Sequence, residues 1–202
     1  MPPKSKNIVT VTHRIDSKER WKANGHKGGV LWLTGLPGSG KSTLAIELEH
    51  QLFKKGLQTY VLDGDNVRQG LSSDLGFSPA DRTENIRRIG EIAALFSDTG
   101  IIVITAFISP YRIDREIARK SAGDAFHEIY VNADVETCES RDPKGHYKLA
   151  REGKIAEFTG ISAPYESPEK PQLMVDTVNL SIAESVERLA TYVDDVLVNS
   201  IA

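Results

Sequence analysis

One short segment constrains this chain more than any other. Gly35-Leu36-Pro37-Gly38-Ser39-Gly40-Lys41-Ser42 follows the spacing G-x-x-x-x-G-K-[ST], with Thr43 next. In front of it, Val30-Leu31-Trp32-Leu33 is an apolar run between turn signals and reads as a buried strand. Behind it, Leu44, Leu48 and Leu52 recur at every fourth position with charges between them, an amphipathic helix ending near Gly56. Strand, glycine-rich turn and helix are the setting in which this spacing binds phosphate. The glycines let consecutive backbone N–H groups turn inward, and the helix directs its positive end at the same point. Lys41 then reaches the β- and γ-phosphates, and the Ser42 hydroxyl ligates Mg²⁺. The segment from Gly35 to Thr43 is expected to hold a nucleoside triphosphate.

The alternation continues along the chain. Thr59 to Leu62 make a second strand that stops at Asp63-Gly64-Asp65. Ile86, Ile89, Ile92, Ala93 and Phe96 share one helical face, and Gly100 follows its end. Ile101 to Ile108 read as a third strand, Tyr111 to Ser121 as a helix, and Glu128 to Val131 as a fourth strand. A short helix is expected around Glu136 and an edge strand at Met174 to Asp176. Ile182, Val186, Leu189, Val193 and Leu197 form a closing helix. Such alternation means parallel strands joined by right-handed crossovers, an α/β three-layer sandwich with about five strands, of the P-loop nucleoside triphosphate hydrolase type. Ligands in these sheets lie beyond the carboxyl ends of the strands. Residues 1–28 are polar and read as an N-terminal arm, before one domain at 29–202. Residues 142–172, basic and carrying Pro143, Pro164, Pro168 and Pro171, read as a mobile lid.

Composition narrows the function. A chain of 202 residues has room for one domain with a proper core. With 25 Lys+Arg against 28 Asp+Glu, the formal charge of −3 argues against a non-specific nucleic-acid binder, which needs an excess of cations. The single cysteine, Cys138, excludes an internal disulfide and a cysteine-based zinc site. The longest apolar stretch falls far short of the roughly 20 residues of a membrane helix, and the N-terminus has no signal-peptide run. A soluble cytoplasmic protein without a membrane or nucleic-acid partner is expected.

The acids follow the second strand. Asp63 and Asp65 stand two residues apart at the ligand end of the sheet, where one can hold the metal through water and the other accept a hydroxyl proton. Which does which is not settled by their spacing. Arg68, Arg82, Arg87, Arg88, Arg112 and Arg115 come next, and an anionic phosphoryl acceptor would need such guanidinium forks. Asn85 lies one turn beyond Arg82, on the same side. Phe77, in a loop rather than on a core face, is placed to stack on a planar base. The cations from Arg141 through Lys144, Lys148, Arg151 and Lys154 sit where a small P-loop kinase carries its lid. No N-K-x-D guanine-reading motif is present, and the strand from Ile101 ends without an acid.

Several linked motifs then resemble one family. Asp63-Gly64-Asp65-Asn66-Val67-Arg68, Asp74-Leu75-Gly76-Phe77-Ser78, Asp81-Arg82 with Glu84-Asn85-Ile86-Arg87-Arg88, Ile108-Ser109-Pro110-Tyr111-Arg112, Arg141-Asp142-Pro143-Lys144-Gly145 and Phe158-Thr159-Gly160-Ile161 look like adenylyl-sulfate kinase (APS kinase). The resemblance spans roughly residues 28–176. It implies transfer of the γ-phosphoryl of ATP to the 3′-hydroxyl of adenosine 5′-phosphosulfate (APS), giving PAPS and ADP in sulfate activation. It also implies Mg²⁺ and a homodimer. Whether the chain works alone or alongside an ATP sulfurylase stays open, and another small-molecule P-loop kinase or a non-catalytic nucleotide-binding subunit are the competing readings.

By resemblance, Lys41, Asp63, Asp65 and Ser109 are the catalytic set, with Ser42 and Asp65 toward the metal and Arg141 near the ATP adenine. Asp63, Arg68, Arg82, Asn85, Ile108, Ser109 and Lys144 are expected at the acceptor, with Phe77 and Phe158 flanking its adenine. Family descriptions often mark the serine of Ile-Ser-Pro as a phosphoserine intermediate. For Ser109 no neighbouring His suggests itself as a base, and direct in-line transfer needs no covalent step.

Overall fold

The computed structural model describes residues 7–9 and 11–200. Helix α1 (Ser17–Asn24) lies within the polar N-terminal segment. It has no buried residue and is set by its ends: a capping box of Asp16 and Glu19, and Gly25 in the left-handed conformation. Its contacts tie it to the sheet's base, through Ser17 Oγ to Asp98 at 2.7 Å and Asn24 Nδ2 to the Gly100 carbonyl at 3.3 Å.

The remaining elements run β1 (Gly29–Thr34), α2 (Lys41–Lys54), β2 (Thr59–Asp63), α3 (Gly64–Val67), α4 (Pro79–Asp98), β3 (Ile102–Ala106), α5 (Arg112–Ala122), β4 (Phe126–Asn132), α6 (Val135–Arg141), α7 (His146–Arg151), β5 (Leu173–Asp176) and α8 (Ile182–Val193). The strands form one sheet in the order β2-β3-β1-β4-β5, and every pairing is parallel. β1 sits at its centre with all of its residues buried, as the unbroken apolar run requires.

Alternation along the strands divides the core into two layers. Leu31, Leu33, Ile102, Ile104, Ile129 and Val131 pack with Leu44, Leu48 and Leu52 of α2 and Val186, Leu189 and Val193 of α8. Val30, Trp32, Val103 and Phe126 face the other way, against Ile86, Ile89 and Ala93 of α4 and Ala118 of α5. This is the three-layer sandwich expected from the sequence. Trp32 is fully buried, with its ring 6.0 Å from Phe107 and 5.6 Å from Phe126. Truncating such a side chain costs about 3–5 kcal/mol.

Two differences from the sequence reading bear on the site. β3 ends at Ala106, short of Ile108, because the Ile108 carbonyl is captured by Thr34 Oγ1 at 2.7 Å and the chain turns at Ser109. The segment 142–172 carries its own helix, α7, and a small core of Leu36, Ala133, Cys138, Tyr147, Ala150 and Phe158 that fastens it to the glycine-rich turn. Among the described residues no helix is long and apolar enough to cross a membrane.

Candidate active site

The turn after β1 has the backbone its glycines permit. Gly40 has φ +100°, a conformation that L side chains rarely adopt, and a Cβ on Gly35 would lie 2.4 Å from the Val131 carbonyl oxygen. Lys41 begins α2 and is buried, its ammonium donating to the carbonyls of Gly35 at 2.9 Å and Leu36 at 2.7 Å. Burial pulls its pKa from 10.5 down to about 8. Ser42 Oγ donates to Asp63 Oδ2 at 2.6 Å, so the turn and the end of β2 meet directly. Asp63 also caps α3, accepting from the Asp65 amide at 3.0 Å. The Asp65 carboxylate forms an ion pair with Lys144, in the segment 142–172.

The arginines separate into two groups. Arg87 pairs with Glu84, Arg88 with Glu84 and Asp74, Arg112 with Glu169, and Arg151 with Glu139. Arg115, which sequence reading grouped with the arginines for an anionic acceptor, is buried against Glu128 at 2.6 Å. Arg68, Arg82 and Arg141 differ. Their hydrogen bonds go to uncharged oxygens: Leu75 and Gly76 carbonyls for Arg68, the Phe77 and Glu157 carbonyls and Thr159 Oγ1 for Arg82, and Thr177 for Arg141. Among the described residues none of these three, nor Lys41, forms a salt bridge. Burial, then the charge of nearby Arg82, lowers the Arg68 pKa. These cations have no carboxylate in direct contact, and an anion bound among them would offset their charge.

The other expected residues fall as follows. Asn85 is buried on α4, and its Oδ1 accepts no hydrogen bond from the protein. Phe77 is 68% exposed and lies under the Arg68 guanidinium, 4.4 Å from the ring centre. Phe158 is buried instead, edge-on to Tyr147 with ring centres 4.9 Å apart. The two phenylalanines do not stack on each other, but Arg82 bonds to the backbone of Phe77 and of Glu157, next to Phe158, and so joins their segments. Ser109 is buried, with φ +40°, and its hydroxyl accepts from the Trp32 indole N–H at 3.1 Å. Arg141 reaches the turn through Thr177, whose hydroxyl donates to the Ser39 carbonyl at 2.9 Å. Thr159 and Thr177, which position Arg82 and Arg141, were not singled out in the sequence. Thr159 was visible only as part of Phe158-Thr159-Gly160-Ile161.

A cleft of about 870 Å³ lies elsewhere. It is lined by Tyr130, Asn132, Asp134, Tyr165 and Asp176, meets the glycine-rich turn only at Leu36, and contains none of the uncompensated cations. Charge rather than volume marks the chemistry here.

A parallel sheet with this turn at the end of its central strand, and acids and guanidinium groups without carboxylate partners nearby, defines a P-loop phosphotransferase. The profile of the adenylylsulphate kinase family matches residues 27–176. Adenylyl-sulfate kinase of Staphylococcus carnosus is 54% identical over 193 residues, 95% of this chain and 97% of the relative. That of Geotalea daltonii is 58% identical over 190 residues, 94% of each. Among solved structures, the Mycobacterium tuberculosis APS kinase in complex with AMPPNP and APS is 46% identical, with a TM-score of 0.79 over 82% of this chain and 96% of that one. The chain belongs to the adenylylsulphate kinase family.

Proposed function

We propose that the chain carries out its family's reaction, ATP and APS giving ADP and PAPS, with the following division of work. Backbone N–H groups of the Gly35–Thr43 segment, Pro37 excepted, and the Lys41 ammonium hold the triphosphate, whose charge draws Lys41 off its carbonyl partners. Arg141, steadied by Thr177, lies toward the adenine of ATP. Arg68 and Arg82 take the phosphosulfate of the acceptor, Asn85 Oδ1 offers a buried acceptor to its nucleoside, and Phe77 supplies a stacking face. Phe158, Ile108 and Ser109 form the wall around it, with Lys144 closing over the site. Asp63 takes the proton of the 3′-hydroxyl as that oxygen attacks the γ-phosphorus, and the bond to the ADP oxygen breaks in line.

Magnesium fits the residues present. Ser42 and Asp63 bring two hard oxygen donors together at 2.6 Å, and Asp65 adds a carboxylate two residues on. Among the described residues no cluster of three or more acids, His or Cys is present, and Mg²⁺ bound mainly by phosphates and water does not need one. The ion would be held by Ser42 with Asp65, and would supply charge neutralisation at the phosphates. The resemblance also supports a cytoplasmic homodimer, and Cys138, buried and unpaired, suits a reducing compartment.

The observation that carries this reading is the division of the arginines from Arg68 to Arg151: Arg87, Arg88, Arg112, Arg115, Arg119 and Arg151 pair with carboxylates, while Arg68, Arg82 and Arg141 bond only to uncharged oxygens. Coupled ADP release with APS, gluconate, shikimate and nucleoside monophosphates tests it. Turnover with APS is expected; turnover with another acceptor and none with APS would reject it.

A further inference from the structure

Ser109 holds a backbone conformation that costs free energy. It is a non-glycine residue at φ +40°, and such residues persist only where their surroundings over-determine them. Here its hydroxyl, its carbonyl and the carbonyl before it are all engaged. Its hydroxyl accepts from Trp32 Nε1 at 3.1 Å, and its carbonyl accepts from Arg115 Nη1 at 2.7 Å. The preceding carbonyl, of Ile108, accepts from Thr34 Oγ1 at 2.7 Å. Since Thr34 has one hydroxyl proton and spends it there, the 3.0 Å contact between Thr34 Oγ1 and Tyr165 is donated by the tyrosine.

Arg115 is the member of this set that spans the molecule. Its side chain is 3% exposed. Nε donates to Glu128 Oε1 of β4 at 2.6 Å, and Nη2 donates to the Glu166 carbonyl at 2.7 Å, in the strand of chain that returns from the lid. Glu128 is held in turn by Arg119 at 3.2 Å and by its own amide's bond to Gln172 at 2.7 Å. One rigid guanidinium thus fixes the strained turn after β3, strand β4 on the far side of β1, and the lid's return segment in a single geometry. A buried arginine is an expensive way to fasten a loop, and a fork with several donors at fixed angles is what distinguishes it from lysine.

We propose that Arg115, with Glu128 as its counter-ion, is a positioning residue for the acceptor. It holds the Ile108–Ser109 backbone in the strained conformation that shapes the APS side of the site, and it does so without touching either substrate. The inference rests on the reading that this backbone faces the acceptor. It separates Arg115 from Arg68 and Arg82, which meet the acceptor themselves.

The test uses full-length Arg115→Lys, which keeps the charge opposite Glu128 but cannot bond to two carbonyls and a carboxylate in one plane. KM for APS is expected to rise about tenfold or more, while KM for ATP stays within about twofold. A merely structural role would instead lower the melting temperature and leave the ratio of the two KM values as in wild type, which would overturn the proposal. If Arg115→Lys does not fold, the double variant Arg115→Gln with Glu128→Gln removes both buried charges together, a milder change than removing one, and the same KM split is read. Ile108→Ala, measured alongside, distinguishes the two levels of the argument. A raised KM for APS there with none in Arg115→Lys overturns the role of Arg115 alone. No effect in either overturns both that role and the placement of this backbone at the acceptor.

Discussion

Ser42 and Asp63, 21 positions apart in the chain, are joined by a hydrogen bond of 2.6 Å from hydroxyl to carboxylate. The contact puts the carboxylate that ends β2 against the first turn of α2, beside the glycine-rich turn proposed to hold the triphosphate. Asp63→Asn keeps the shape and the cap on α3 while removing the charge and the proton acceptor. A loss in kcat of roughly 10²–10⁴ is expected, with the circular dichroism spectrum unchanged. A kcat close to wild type would remove Asp63 from the reaction.

Lys41 gives the protein a pH signature. Its folded pKa, about 8, lies below the 10.5 of an ordinary lysine, because burial disfavours the ammonium. Between those two values the unfolded chain still binds the proton that the folded chain has lost, so stability contributed by this site rises with pH across that window. Measured without nucleotide, the stability of wild type relative to Lys41→Met should increase from about pH 8 to about pH 10.5, by up to about 3 kcal/mol. Denaturant titrations at several pH values check this. A flat difference across the window would contradict the buried ammonium.

Phe77 separates a substrate face from a core plug. At 68% exposure it contributes little to the fold, so Phe77→Ala should alter stability by no more than about 0.5 kcal/mol. A lost stacking face on a base should raise KM for APS roughly tenfold. Loss of stability without a change in KM would make the ring a plug.

How much of this was legible in the sequence depended on how local the signal was. β1, the glycine-rich turn and α2 follow from adjacent apolar runs and glycine spacing, and the acids at 63 and 65 from their place after a strand. Helix α1 has no apolar face, so periodicity could not find it; its signal was Asp16 with Glu19 and the stop at Gly25. The separate roles of Arg68 and Arg115 were not legible at all. Both are arginines in the stretch after β2, and what divides them is Glu128, 13 positions beyond Arg115 and brought to it only by the packing of α5 on β4. Ser109 is similar: nothing in Ile108-Ser109-Pro110 announces that its hydroxyl lies under Trp32, 77 positions away.

That burial leads to an expectation for Ser109. Its hydroxyl is engaged and 2% exposed, so it is poorly placed to attack a phosphoryl group. Ser109→Ala should keep kcat within about tenfold of wild type, and mass spectrometry of enzyme quenched during turnover should find no phosphate on Ser109. Phosphoserine at that position, formed at the rate of turnover, would contradict the in-line reading.

The lid pair offers a further check. Lys144 and Asp65 have side chains 58% and 68% exposed, where an ion pair adds little to stability. Lys144→Ala should therefore leave the melting temperature unchanged and reduce kcat roughly tenfold, by loosening closure over the site. An unaltered kcat would leave Lys144 outside the reaction cycle.

The whole account is tested most directly by following the phosphoryl group itself. Purified protein is given ATP labelled in the γ-phosphate, magnesium and APS, and the products are separated. Label should appear in a nucleotide that loses it to a 3′-nucleotidase, in amounts equal to the ADP formed, and Lys41→Ala should abolish it. Label that never reaches APS, or that reaches it at another position, would contradict the account.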